Sequence, residues 1–181
     1  MIIINRCAWV NDNQLMQQYH DHEWGRPCHD DQKLFELLSL EMMQAGLSWK
    51  TILNKRANFR KAFYNFDINK VAKMDDQIDS LMQDTGIIRN RLKINAIINN
   101  AQVIQNLEVS LNNYVWQFVD NKPINHHFSN HKQIPATDDL AKNMSKQMKK
   151  AGFKFAGPII IYSFMQAAGL VDDHESNCFL S

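Results

Sequence analysis

The first chemical feature of this chain is an acid among apolar residues. Across Lys33 to Trp49, KLFELLSLEMMQAGLSW, the side chains of Leu37, Leu38 and Ala45 fall within roughly 60° of Leu34 on a helical wheel. Glu41 lies in the middle of that apolar stripe. A carboxylate placed there is either paired with a hidden cation, a structural use, or held at a cavity wall for a ligand. The helix then runs into Ala45-Gly46-Leu47-Ser48-Trp49, a glycine-containing break that can present a leucine and a large aromatic beside the acid.

Metal-ligand chemistry is concentrated at the two ends. His174 and Cys178 are four residues apart, so one helical turn would project both to the same side, as a zinc ion needs. Near the start stand Cys7 and His20, which would complete a Cys2His2 set tying one terminus to the other. Cys28, His22 and His29 offer a purely N-terminal alternative with Cys7 and His20, although Cys28 reads more simply as a small residue. His126, His127 and His131 read as polar loop residues.

Basic residues cluster twice. Thr85 to Lys93 joins two amphipathic helices through a turn at Gly86, presenting the N–H groups of the second helix start with Arg89, Arg91 and Lys93. A helix-hairpin-helix of this kind grips a phosphate without reading bases. Lys142, Lys146, Lys149, Lys150 and Lys154 form a second cluster with no acid among them, which alone is also what a solvated helix face looks like. Both clusters in one small helical chain favour binding to a DNA backbone.

The elements that must hold these groups are helical almost throughout. Asn11 or Asp12 can cap a segment through Tyr19, Asp30 or Asp31 the Glu41 helix, and Ser48 the next. Asp67 and Asp75 head two shorter helices, the second closed by a C-cap glycine at Gly86, and a further helix is expected from near Arg89 with Ile94, Ile97, Ile98 and Ala101 inward. Ser110 opens another. Asp120 to Ala136 is polar, carries Pro123 and Pro135, shows no period and reads as a surface loop. Thr137 caps a helix ended by Gly152, and Pro158 starts an apolar one that Gly169 closes. Only Ile2 to Ile4 resembles a strand. The expectation is an all-α fold in one compact unit spanning 1-181.

Composition sets the outer bounds. With 181 residues, 45% of them hydrophobic, the chain can bury a sizeable core. No apolar run approaches the roughly 18 residues of a membrane span, and Met1 to Ile4 lacks a signal peptide's basic flank and length, so a cytoplasmic protein with no membrane partner is expected. Three cysteines without secretory context argue against a disulfide framework. A net charge of +1 neither demands nor excludes nucleic acid.

Taken together, Cys7-Ala-Trp9, Tyr19 to Gly25, Leu40 to Trp49, Gly86 to Arg91, Gly152 to Phe155 and Phe164 to His174 resemble the bacterial 3-methyladenine DNA glycosylase I family, with the blocks in family order. The resemblance implies a monofunctional helix-hairpin-helix glycosylase, a monomer that flips 3-methyladenine out of alkylated duplex DNA and hydrolyses it off. Glu41 would hydrogen-bond the extruded base with Tyr19 helping to hold it, Trp49 would stack on it, and Trp9 and Trp24 would complete the pocket. Gly86, Arg89, Arg91, Lys93 and Leu47 would meet the DNA. Cys7, His20, His174 and Cys178 would hold one structural zinc. The family lacks the aspartate that most such glycosylases carry after the hairpin, and this chain has no acid between Gly86 and Leu107.

Three features depart from the family pattern. The chain begins a few residues further upstream of Cys7, with Ile2 to Ile4 read as a core anchor; it stops three residues after Cys178, which invites fraying. Leu92 occupies a place where a second hairpin glycine would fit. The competing readings are a non-catalytic zinc-containing DNA-binding module, with Glu41 the buried partner of an arginine, and a receptor for free nucleobases.

Overall fold

The computed structural model describes residues 4–10 and 12–181. Nine α-helices run through them: α1 Gln14–His22, α2 Asp31–Gln44, α3 Trp49–Ala62, α4 Ile68–Val71, α5 Ile78–Leu81, α6 Arg91–Gln105, α7 Leu111–Trp116, α8 Asp139–Lys150 and α9 Pro158–Ala167. Two strands, β1 Ile124–Asn125 and β2 Val171–Asp172, pair in parallel with Ile124 opposite Val171. The fold is therefore mostly, not purely, helical. The strand pair breaks the expectation of a featureless loop over Asp120 to Ala136, because two residues are too short to show an alternation. Among the described residues no helix is long and apolar enough to cross a membrane.

Helix α2 is the axis of the molecule. It is buried without interruption from Leu34 to Met43, packing on α3, α6, α7 and α9, so it has no solvent face where a single stripe was expected. Asp30 caps it by accepting from the Lys33 N–H, and Asp31 instead reaches the N–H groups of Leu111 and Asn112 at the start of α7. Around α2 lies the main core, with Phe35, Phe59, Phe63, Phe66, Trp116 and Phe164 wholly enclosed. A second, smaller core gathers Cys7, Met16, Tyr19, Trp24, Leu53 and Cys178, and Trp49 packs against both.

Ser48, Asp67 and Ser110 cap the helices expected of them. Elsewhere the boundaries move. Asn13, whose side chain accepts from the Met16 N–H, caps α1 in place of Asp12; Asn11 lies outside the described residues. Asp138 displaces Thr137, whose hydroxyl donates to the Pro158 carbonyl. The helix expected over 75 to 84 is a 3-10 turn followed by four residues of α5, so Gly86 is no C-cap, and α6 starts at Arg91 behind its cap Asn90 rather than at Arg89. Of the expected N-terminal strand and core anchor, Ile2 and Ile3 lie outside the described residues and Ile4 is exposed.

Two glycines are required by close approach. A Cβ on Gly169 would fall 2.2 Å from the Arg26 carbonyl carbon, and one on Gly25 would fall 2.6 Å from the His174 ring. Both residues also hold positive φ, so the chain can cross these points only without a side chain.

Candidate active site

Where the two cores meet, residues of α1, α2, α3 and α9 enclose a cavity of about 290 Å³. Its walls carry Trp9, Tyr19, Trp24, Glu41 and Trp49, which are the five pocket residues named from sequence. Trp9 meets Trp24 edge-on at 5.1 Å between ring centres, and Tyr19 meets Trp49 at the same separation. Ser48 places Trp49 by capping α3, which makes the tryptophan the first residue of the helix. The result is a volume at the small end of the range for small-molecule sites, faced mainly by aromatic rings.

Glu41 has no ion-pair partner among the described residues and is 6% exposed. Burial alone pushes its carboxyl up to about 8. The buried arginine that would have explained a structural Glu41 is engaged elsewhere: Arg56 donates Nε to Glu36 at 2.6 Å and both terminal nitrogens to Glu23 at 2.9 and 2.8 Å. Three further polar groups on the cavity residues, Tyr19 OH, Trp9 Nε1 and Trp49 Nε1, are buried with no hydrogen-bond partner. Burial and the nearby Glu41 raise the Tyr19 phenol well above its ordinary value, so it stays a neutral donor. Native interiors rarely leave polar atoms unmatched, and three such groups beside Glu41 around one cavity mark a place for a ligand.

A second set lies behind the Trp24 wall. The ligand atoms of Cys7, His20 and Cys178 are within 4.8 Å of one another, and the His174 ring is 5.2 Å from that of His20. His20 is held at Nδ1 by Asp21 at 2.8 Å and His174 at Nδ1 by Asp172 at 2.6 Å, and His20 Nε2 accepts the Cys7 N–H at 3.4 Å and lies 3.5 Å from Cys178 Sγ. The Nε2 of His174 is buried with no partner. Burial pushes the Cys7 thiol up to about 12, so only a positive ion could hold it as thiolate. Residues 173 to 178 form a turn after β2, not a helix, so the helical turn expected to carry both His174 and Cys178 is not formed. The feared frayed end is tied down: the Phe179 N–H donates to the Asn5 carbonyl and the Glu175 N–H to Cys7 Sγ. The N-terminal alternative is not assembled. Cys28 packs on the main core, His22 is exposed, and the His29 ring lies tilted against Trp116 at 4.3 Å between ring centres.

The basic segment expected to form a hairpin runs from α5 through a turn into α6. Lys55 and Asn58 donate to the Gly86 carbonyl, and the Gly86 N–H donates to Asp84, so the turn is firmly held. Arg89 is exposed and makes no ion pair among the described residues, whereas Arg91 bonds Asp79 at 2.6 Å. Lys93 does not face outward as expected. It is 7% exposed, and its ammonium donates to the carbonyls of Met43 and Ala45 at 3.0 and 2.7 Å, because the open end of α2 offers unpaired acceptors there. Leu47 is exposed on the adjacent turn after Gly46, and Leu92 is 70% exposed on α6. On α8, Lys142 pairs with Asp139, while Lys146, Lys149 and Lys150 face solvent, as does Lys154 beyond it.

Sequence reasoning missed five cavity residues, Gln44, His131, Ile134, Ser163 and Gln166. Gln44 follows Glu41 by three, and Ser163 and Gln166 share that spacing on the otherwise apolar α9, a signal that was available. His131 lines the cavity from a loop, and no local pattern announces it.

Comparison with known proteins agrees with this geometry. The methyladenine glycosylase family pattern matches residues 9–181. A DNA-3-methyladenine glycosylase of Haemophilus influenzae is 45% identical over 96% of both chains, and DNA-3-methyladenine glycosylase 1 of Escherichia coli is 46% identical over 97% of this chain and 96% of its own. A solved variant of 3-methyladenine DNA glycosylase I in complex with 3-methyladenine superposes with a TM-score of 0.93 at 39% identity, covering 97% of each chain.

Proposed function

This chain belongs to the methyladenine glycosylase family, and from that premise we propose that it is a DNA repair enzyme that excises 3-methyladenine from alkylated duplex DNA. The observation that carries the reading is the cavity in which an unpaired carboxyl and three unpaired donors stand among aromatic rings. Methylation at N3 makes the nucleobase cationic, and aromatic faces attract a cation while a carboxylate offsets its charge and accepts from the exocyclic amine. Trp49 stacks on the base, Tyr19 holds its edge, and Trp9 and Trp24 close the far wall.

In the reaction, the electron pair of the glycosidic bond passes to the base, which leaves as a neutral purine. Positive charge moves to the sugar carbon, water adds there, and one proton is released. Because the base is already an activated leaving group, the site needs no strong general acid. A damaged base also costs less to extrude than a sound one. The exposed turn at Gly46 and Leu47 lies beside the cavity wall, and a helix-hairpin-helix built from α5 and α6 holds the duplex by its phosphates through Arg89 and Arg91. Lys93 joins the two regions, since it ties the hairpin helix to the end of the helix that carries Glu41.

Cys7, His20, His174 and Cys178 would hold a structural zinc that fastens the two ends of the chain. The orphaned Nε2 of His174 and the two carboxylate-held imidazoles fit that role. Single-turnover assay on methylated duplex DNA should release free 3-methyladenine; DNA binding without release would leave only a binding module.

A further inference from the structure

Gln166 lines the cavity from α9, one turn after Ser163. Its amide nitrogen donates to Asp173 Oδ2 at 2.8 Å. Asp173 is wholly buried and also takes the Tyr162 hydroxyl at 2.7 Å on the same oxygen and His126 Nδ1 at 2.6 Å on the other. A carboxylate only accepts, and here its three partners are all donors. The Gln166 amide therefore cannot be turned round: its nitrogen must face Asp173 and its carbonyl oxygen must face the other way. No group among the described residues donates to that oxygen. The backbone is equally fixed, because the Gln166 carbonyl receives the Gly25 N–H beside Trp24.

We infer that Gln166 is a specificity residue for the base, its side-chain oxygen locked by Asp173 as an acceptor that favours a purine with an amino group at position 6 and disfavours one with an oxo group. This rests on reading the cavity as the base pocket. An amino group at position 6 donates to Oε1, whereas a 6-oxo group would set two lone-pair oxygens against each other. Glu41 cannot make this distinction by itself, since with its carboxyl raised to about 8 it can either donate or accept near neutral pH. Asp173 acts as the positioning residue, and the whole preference depends on one fixed amide.

The test is tryptophan-fluorescence titration of the full chain with 3-methyladenine and with 3-methylhypoxanthine, its 6-oxo counterpart. Gln166→Met, close in shape and without the acceptor, should weaken 3-methyladenine binding about tenfold, as loss of one hydrogen bond does, and leave the 6-oxo base unchanged or tighter. Asp173→Asn can donate as well as accept, so it frees the amide to invert and should narrow the same preference. Combined with Gln166→Met it should narrow it no further. Should Asp173→Asn not fold, Gln166→Met decides the matter alone. Equal weakening of both bases by Gln166→Met, or a full preference retained in folded Asp173→Asn, would overturn the inference. A parent protein that binds neither base would instead overturn the base-pocket reading beneath it.

Discussion

Glu36 and Glu41 lie five residues apart on the same buried helix, yet they belong to opposite kinds of polar region. Glu36 is closed: Arg56 meets it at 2.6 Å, Arg60 at 2.8 Å, and the set extends through Glu23 to Lys33. Glu41 is open, with no cation beside it among the described residues and three partnerless donors on its neighbours. The closed set joins α2 and α3 to the end of α1 and leaves nothing for a ligand. The open set has capacity that only a ligand can complete, and the same holds behind the Trp24 wall, where His174 Nε2 is buried alone. Burial by itself therefore does not tell a structural carboxylate from a functional one; the partner list does.

The sharpest way to break this contrast is to remove a ligand from an open set. Cys178→Ser should abolish stoichiometric zinc and lower Tm more than any other single change considered, because a structural ion contributes its binding free energy to folding. Zinc content by atomic absorption and Tm by calorimetry check it. Full zinc in this variant, with loss in Cys28→Ser, would return the site to the N-terminal alternative.

Next in size is the closed set. Glu36→Gln leaves Arg56 partly unmatched in the interior and should cost about 3–5 kcal/mol, or roughly 10 °C in Tm, with normal turnover per folded molecule. Acid should act on the same region. Glu23 is pushed up by burial, but the bonds from Arg56 and Lys33 prevail and hold it at about 2. Its stabilisation is thus complete above the unfolded value of 4.5 and is lost as pH falls towards 2.

Glu41→Gln should behave in the opposite sense. The folded carboxyl, raised by burial to about 8, keeps its proton where the unfolded one at 4.5 has lost it. Its contribution is complete below 4.5 and lost as pH rises through 8, so the variant's Tm should match the parent at pH 5 and exceed it at pH 9. In the complex the cationic base favours the ionised carboxylate, so excision by the variant should slow by about one to two orders of magnitude, the worth of a hydrogen bond to a charged group. A lower Tm with normal excision per folded molecule would make Glu41 structural after all.

How much of this was legible follows the same division. Glu41, with Trp49 after it, was readable because an acid in an apolar stripe announces itself by type, whereas Tyr19, Trp9 and Trp24 as pocket residues, and the end-to-end choice among the Cys and His sets, came from the resemblance to the glycosylase family. Gln166, Ser163 and Gln44 were not picked out, since neutral polar residues on buried helices are common. The Glu36 network also went unseen, because α2 is covered on every side and a wheel shows periodicity only where one face meets water. Lys93 was misread for a related reason: its charge suggested phosphate, while the carbonyl end of α2 that captures it comes from fifty residues away.

The smallest expected effect applies the open and closed distinction to the hairpin. Arg89, Arg91 and Lys93 look alike in sequence, but they differ in what already holds them. Arg89 has no acid partner among the described residues, Arg91 must release Asp79, and Lys93 is enclosed by two carbonyls. A side chain that is free to neutralise a phosphate changes the slope of log affinity against log salt by about one, and a side chain already paired changes it less. Arg89→Ala should therefore flatten the slope by close to one phosphate on damaged and undamaged duplex alike, with Tm unaltered. Arg91→Ala should flatten it less, part of its effect being the loss of the exposed Asp79 pair, which contributes little. Lys93→Met should leave the slope alone and lower Tm, since it strips the α2 carbonyls of their donor. Salt titrations by fluorescence anisotropy on the three variants give the order directly, and a Lys93→Met slope as flat as that of Arg89→Ala would show that the ammonium leaves α2 to reach the DNA.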